Sequence, residues 1–234
     1  MRRALIVLAG ALLAAGPAVA QTGTTKSPAK KPAPRAAKPA AKPVAPQRVA
    51  APASVTCPHV LGTGVRTKVE YCDVLTGRNP AEGVLVRLPP HKGLLTLTFD
   101  LHNRHTYSEE MVKSGKGYAE YTATIGALTM EGALLARGVV RSEFRTAKDL
   151  LDRVGGGAGP KGIKAVAPVG SERISIDVPE EVTEVSLLGE KLAVLSLNGP
   201  ETFTAVQRPI AAVSNVNVDY QPPKPPAKTP ARKK

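Results

Sequence analysis

The 234-residue chain has no tryptophan, three phenylalanines and five tyrosines. A sugar-binding platform of exposed tryptophans is therefore excluded. Only Tyr71, Tyr107, Tyr118, Tyr121, Tyr220 and the phenylalanines offer rings to a pyranose, so sugar recognition would have to rest on hydrogen bonds from polar side chains. Cysteine is scarce too: Cys57 and Cys72 are the only two, with no CxxC spacing and no cluster to suggest a thiolate metal centre or a redox motif. There is no GxSxG elbow, no HExxH and no close carboxylate pair of the kind that marks glycoside hydrolysis. No apolar run reaches the roughly twenty residues that a transmembrane helix needs.

What is present begins with an export signal. Residues 1–20 have the parts of a secretory signal peptide: Arg2 and Arg3, an apolar run from Ala4 to Ala15, and the small-residue cleavage pattern Ala18-Val19-Ala20 before Gln21. Gln21 stands where a lipoprotein would need cysteine, so acyl anchoring is not expected. The sequence thus predicts a periplasmic or secreted protein, in an oxidising compartment where Cys57 and Cys72 pair as a disulfide. If the two face each other in a hairpin, its midpoint falls between Gly64 and Val65, beside Gly62-Thr63-Gly64, where a tight turn favours glycine.

The formal charge of +13 is unevenly placed. Residues 21–54 hold seven Lys and Arg and no acid, and residues 221–234 hold five and no acid; the span 55–220 holds 18 basic residues against all 19 acidic ones, a balance of −1. A folded nucleic-acid module concentrates basic charge on its own surface, so specific nucleic-acid binding is not expected. The two ends are rich in Lys, Pro and Ala and lack an apolar period, which predicts disordered, extended arms, because they bury too little surface to offset chain entropy. Such arms serve as spacers, or as tethers to acidic envelope polymers through screened Coulomb attraction.

Between the arms, period-two alternation dominates. Leu95, Leu97, Phe99 and Leu101 alternate with Thr96, Thr98, Asp100 and His102 as a half-buried strand. Leu134 to Arg145, Arg173 to Val178 and Ile210 to Tyr220 alternate likewise, and 83–88, 117–130, 183–188 and 191–197 are further strands. Many strands with one wet face each predict an all-β, mainly antiparallel sandwich of jelly-roll or carbohydrate-module type, with a barrel as the second choice. One short helix is expected over Thr146 to Val154, with Thr146 as N-cap and Gly155-Gly156-Gly157 as stop.

Three groups of residues carry candidate chemistry. Gly157 to Gly162 matches GxGxxG, but it follows a helix instead of a strand, and Pro160 removes an amide donor; a surface loop is expected there, not a nucleotide site, and no cofactor is expected. Asp100, His102 and His105 are the densest group of metal-ligand types, with Asp100 and His102 on one strand face and His105 on the loop that follows; they are the candidate metal ligands of a metal-dependent hydrolase. Arg137, Arg141 and Arg145, with Glu143 between the last two, share the polar side of one strand. That stripe is the leading candidate surface for a carboxylate or sulfate on a ligand, against the alternative that the arginines pair with acids on neighbouring strands; Asp100 and His102 are further candidate ligand-binding residues. The functional expectation is an exported, non-enzymatic protein that binds a glycan or an envelope protein; the alternatives are the metal-dependent hydrolase and a structural envelope-assembly component that offers a sheet edge to a partner's strand.

Overall fold

The alternation becomes two packed sheets in the computed structural model, which describes residues 47–154 and 164–224. The expected signal peptide, residues 21–46 of the N-terminal arm, the GxGxxG match and residues 225–234 of the tail lie outside the described residues. In chain order the strands are β1 (Val49–Pro52), β2 (Ser54–Thr56), β3 (Val60–Thr63), β4 (Glu70–Leu75), β5 (Val84–Arg87), β6 (Leu95–Ser108), β7 (Ala119–Thr129), β8 (Leu134–Phe144), β9 (Lys164–Val178), β10 (Glu184–Ser196), β11 (Gly199–Phe203) and β12 (Pro209–Tyr220), with helix α1 (Glu109–Lys113) between β6 and β7. One sheet, here the first, runs β3-β4-β12-β6-β9 with β1 added on β12; the second runs β2-β5-β10-β7-β8 with β11 added on β10. All these ladders are antiparallel, so the fold is a β-sandwich with one short helix.

Strand β6 shows how the sequence builds the core. Its odd positions Leu95, Leu97, Phe99 and Leu101 are wholly buried, while Thr96, Thr98 and Asp100 on the other face are half-buried. The buried set meets Ala123, Ile125 and Ala127 of β7, Val140 of β8 and Leu187 of β10 in one cluster. Because large rings are few, the core relies on branched aliphatic side chains. Each such side chain stabilises the fold by roughly 1.5–3 kcal/mol through burial.

Cys57 and Cys72 are joined, with Cα atoms 5.8 Å apart. The hairpin is present, but its geometry differs from the symmetric one expected. Cys72 stands opposite Val60, Cys57 precedes β3, and the turn runs from Gly64 to Val69, because a bulge between Val60 and Gly62 shifts the register. The turn is pinned from outside by Asp152, whose carboxylate accepts hydrogen bonds from the amides of Arg66 (3.1 Å) and Thr67 (2.8 Å) and from the Thr67 hydroxyl (2.6 Å).

Three sequence expectations are corrected. Thr146 caps as expected and forms a capping box with Asp149, but only a single 3-10 turn, Ala147–Asp149, follows it. The chain is extended from Leu150 onward, because Leu150 bridges Val169 of β9, the Leu151 amide donates to the Pro168 carbonyl, and Val154 bridges Gly64 on the far side of the same sheet. Residues 150–154 therefore form a strap over the outer face of the first sheet, with Val154 packed on Tyr71 and Ala212. Among the described residues the α-helix is α1, capped by Ser108, with Glu109 and Glu110 in its first turn and Lys113 in its last. The two strands expected at 183–188 and 191–197 are one strand, β10, with an irregularity between Gly189 and Lys191. A Cβ on Gly189 would lie 2.7 Å from the Ile210 side chain, so only glycine lets the backbone pass there. Finally, the ordered body starts ahead of residue 55: β1 pairs with β12 from Val49↔Tyr220 to Pro52↔Asn217, and β2 joins the second sheet.

Candidate functional site

Strand parity decides the fate of the expected metal trio. Strand β6 does not end at His102 but runs to Ser108, so His105 lies within it and not on a loop. Even positions face outward and odd positions face the core, which places Asp100 and His102 on one side of the sheet and His105 on the other. The three do not converge, and among the described residues no group of three or more His, Cys, Asp or Glu side chains is placed to hold a metal ion.

On the outer face both candidates have structural partners. Asp100 accepts from Arg173 at 2.7 Å and from the Asn215 amide at 2.7 Å. His102 is 2% exposed, and burial lowers its pKa. Its Nδ1 donates to the Gly170 carbonyl at 2.8 Å, so in the neutral ring Nε2 is the acceptor for the Ser214 hydroxyl, also at 2.8 Å. Tyr71 meets the ring edge-on, with centroids 5.4 Å apart. Arg104, the next outward residue, donates to both oxygens of Asp73.

The arginine stripe lies on β8, the edge strand of the second sheet, and continues one residue beyond it. Each guanidinium has a carboxylate: Arg137 meets Glu190 at 2.8 Å, Arg141 meets Glu120 at 2.6 Å and Arg145 meets Glu143 at 2.6 Å. Arg145 also stands over the Tyr118 ring, 5.6 Å from its centroid. The arginine side chains remain largely in solvent, where water and salt screen such pairs. The surface is charge-compensated along its length.

A third place was not singled out from the sequence. Where β6 ends, the space between the sheets opens into a recess of about 390 Å³. His105 lies at its inner wall with Tyr121 and Phe144, Met111 of α1 and Tyr118 flank it, and Ser196 to Asn198 at the end of β10 form its rim. His105 is 5% exposed and stacks on Phe144, with ring centroids 3.7 Å apart. Its Nδ1 shares a hydrogen bond of 2.7 Å with the Tyr121 hydroxyl, and its Nε2 has no partner among the described residues. Burial pushes the imidazole down to about 4 and the Tyr121 phenol up to about 12, so both are neutral across the physiological range. Two residues earlier on the same face, Asn103 donates to the Val140 carbonyl (3.2 Å) and the Ser142 hydroxyl (2.9 Å), while its Oδ1 has no partner among the described residues. The sequence does carry a signal for this place: Asn103 and His105 continue the odd, core-facing positions of Leu95, Leu97, Phe99 and Leu101, so the inner face of β6 turns polar at one end.

No protein-family model matches the chain, and no curated protein matches it. Among solved structures, the crystal structure of the infectious bursal disease virus VP2 subviral particle aligns over 76% of this chain and 33% of that one, at 14% identity and a TM-score of 0.23. A likeness of that degree carries no conclusion about activity. The protein stands as an antiparallel β-sandwich with a paired cysteine bridge and a polar, ring-walled recess at one end.

Proposed function

We propose that this is an exported, non-enzymatic binding protein of the cell envelope or extracellular space, in which the β-sandwich recognises a glycan or a protein partner and the basic ends hold it near acidic envelope polymers. The observation that carries this reading is the division of charge: a body with a balance of −1 between two ends that contain only basic ionisable side chains. The internal pairing of Arg137, Arg141 and Arg145 supports it, because the body then has little net attraction for polyanions and retention falls to the ends. No helix among the described residues is long and apolar enough to cross a membrane.

The test is fractionation of cells that make either the full chain or a form lacking residues 21–46 and 225–234, with circular dichroism to check that the body stays folded. Salt-sensitive envelope retention should be lost with the ends. A pull-down with the shortened form at physiological salt should still capture the partner of the sandwich. Retention that is indifferent to removal of both ends would refute the tether, and failure of the shortened form to capture any glycan or protein would refute the binding role.

A further inference from the structure

The chain has five asparagines, and only Asn198 is followed by glycine. Asn79 precedes Pro80, which has no N–H. Asn103 is wholly buried, with its side-chain amide held by the Val140 carbonyl and the Ser142 hydroxyl. Asn215 and Asn217 precede the β-branched Val216 and Val218, and their amides donate to Asp100 and to the Asn215 carbonyl. Asn198 differs in each respect. It is exposed in the turn between β10 and β11, and its side chain has no hydrogen bond among the described residues. Beside it, nothing lies within 4 Å of where a Cβ on Gly199 would stand.

We infer that Asn198 is a site of intramolecular deamidation, which sets a carboxylate on the rim of the end recess. The Gly199 amide nitrogen gives its proton to hydroxide and attacks Asn198 Cγ. An N–C bond forms, a succinimide ring closes, and the side-chain nitrogen takes up a proton and leaves as ammonia. Water then opens the ring. Cleavage of the bond from the nitrogen to Cγ leaves an aspartate, and cleavage of its bond to the main-chain carbonyl carbon leaves an isoaspartate. One water is consumed and one ammonia released, with nothing oxidised or reduced, so solvent is the only co-reactant. Gly199 has a φ of 104°, a left-handed conformation that favours glycine, so the reactive pair is built into the turn, and no side chain shields its nitrogen. The tip is also lightly held. Among the described residues β11 has β10 as its only strand partner, and Leu195, Leu197 and Asn198 are exposed. Opening such a tip costs far less than unfolding the sandwich, and it frees the Gly199 nitrogen from its place opposite Ser196. The consequence is electrostatic: Lys116 is the one ionised side chain in the recess lining, so the conversion gives a positive mouth both signs of charge. The inference holds whether the sandwich binds a glycan, a protein or neither.

The experiment incubates the folded full-length chain at neutral and at mildly alkaline pH and follows every asparagine by peptide mapping and mass spectrometry. Position 198 should convert ahead of the other four, and faster at the higher pH, because the attacking nitrogen must first lose its proton. The converted peptide should be heavier by the difference between water and ammonia, and isoaspartate, detected by isoaspartate-specific methylation, should accompany aspartate. Isoelectric focusing should show a more acidic form that runs with Asn198→Asp. In Asn198→Gln that form and the isoaspartate should both be lost, since the longer side chain closes a ring far more slowly. The substituted residue is exposed and outside the core, so both variants should fold like the parent by circular dichroism. An Asn198 that stays intact in the folded chain would overturn the inference, whatever the urea-unfolded chain does. Equal conversion at Asn215 or Asn217 would overturn the assignment to the Asn-Gly turn. Aspartate without isoaspartate would overturn the succinimide route.

Discussion

Asp152 is 5% exposed, and burial by itself would raise its carboxyl. The hydrogen bonds from Thr67, Arg66 and Arg153 outweigh burial and hold it down at about 2. A depressed carboxylate contributes stability that is fully present above its unfolded value near 4 and is lost as pH falls through the folded value. Asp152→Asn should therefore cost about 1–3 kcal/mol at neutral pH, measured by urea unfolding, and should flatten the loss of stability between about pH 4 and pH 2. A substitution without effect on the urea midpoint would mean the turn does not depend on this pin. His105 works in another window. Its folded pKa, near 4, lies below the unfolded value of about 6.5, so the unfolded chain binds more protons in between and stability falls as pH drops through that range. His105→Phe should reduce the difference between urea midpoints at about pH 7 and pH 5. An unchanged difference would show that His105 does not titrate on unfolding. Neither residue's role was legible beforehand: Asp152 sat inside a segment that reads as helix, and the inward aim of His105 required knowing that β6 runs through to Ser108.

At the scale of elements, alternation was read correctly wherever one face is apolar and the other polar without interruption, as in 95–101 and 173–178. It misled where tertiary contacts override local preference. Thr146 and Asp149 make the start of a helix, yet Leu150, Leu151 and Val154 are taken up by β9 and by the patch around Tyr71 and Ala212, so the helix ends after one turn. Gly189 looked like a break between strands because its neighbours carry the polar residues Glu190 and Lys191; against Ile210 it is instead the position that lets one strand bend. The cysteine bridge was legible because a chain with two cysteines allows a single intramolecular pairing. Closing a loop of about fifteen residues stabilises by roughly 3 kcal/mol on the chain-entropy estimate, so Cys57→Ser/Cys72→Ser should lower unfolding free energy by about that much. Reduction of the native bridge should match the double variant in the same urea experiment; a much smaller change would mean that β3 and β4 hold their register without it.

For the molecule as a whole, the fold class followed from counting half-wet strands. The site did not follow, because a recess at the end of a sandwich is assembled from β6, β7, β8 and β10, which lie up to roughly ninety residues apart in the chain. The proposed retention through the basic ends would be a Coulomb effect, with a screening length of about 8 Å at physiological ionic strength and about 3 Å at 1 M salt. Washing intact envelopes with increasing salt should accordingly release the full chain progressively, whereas a specific, desolvated contact would resist the wash.

The pairing of β1 with β12 gives the molecule a direction. Val49 stands opposite Tyr220, and Asp219 opposite Thr96, so both chain ends depart beside the Leu95 end of β6. His105 lies ten residues further along that strand, about 30 Å away at the rise of an extended chain. The recess and the two places where the chain leaves the sandwich therefore stand at opposite ends of β6, so a molecule bound in one would leave the other uncovered.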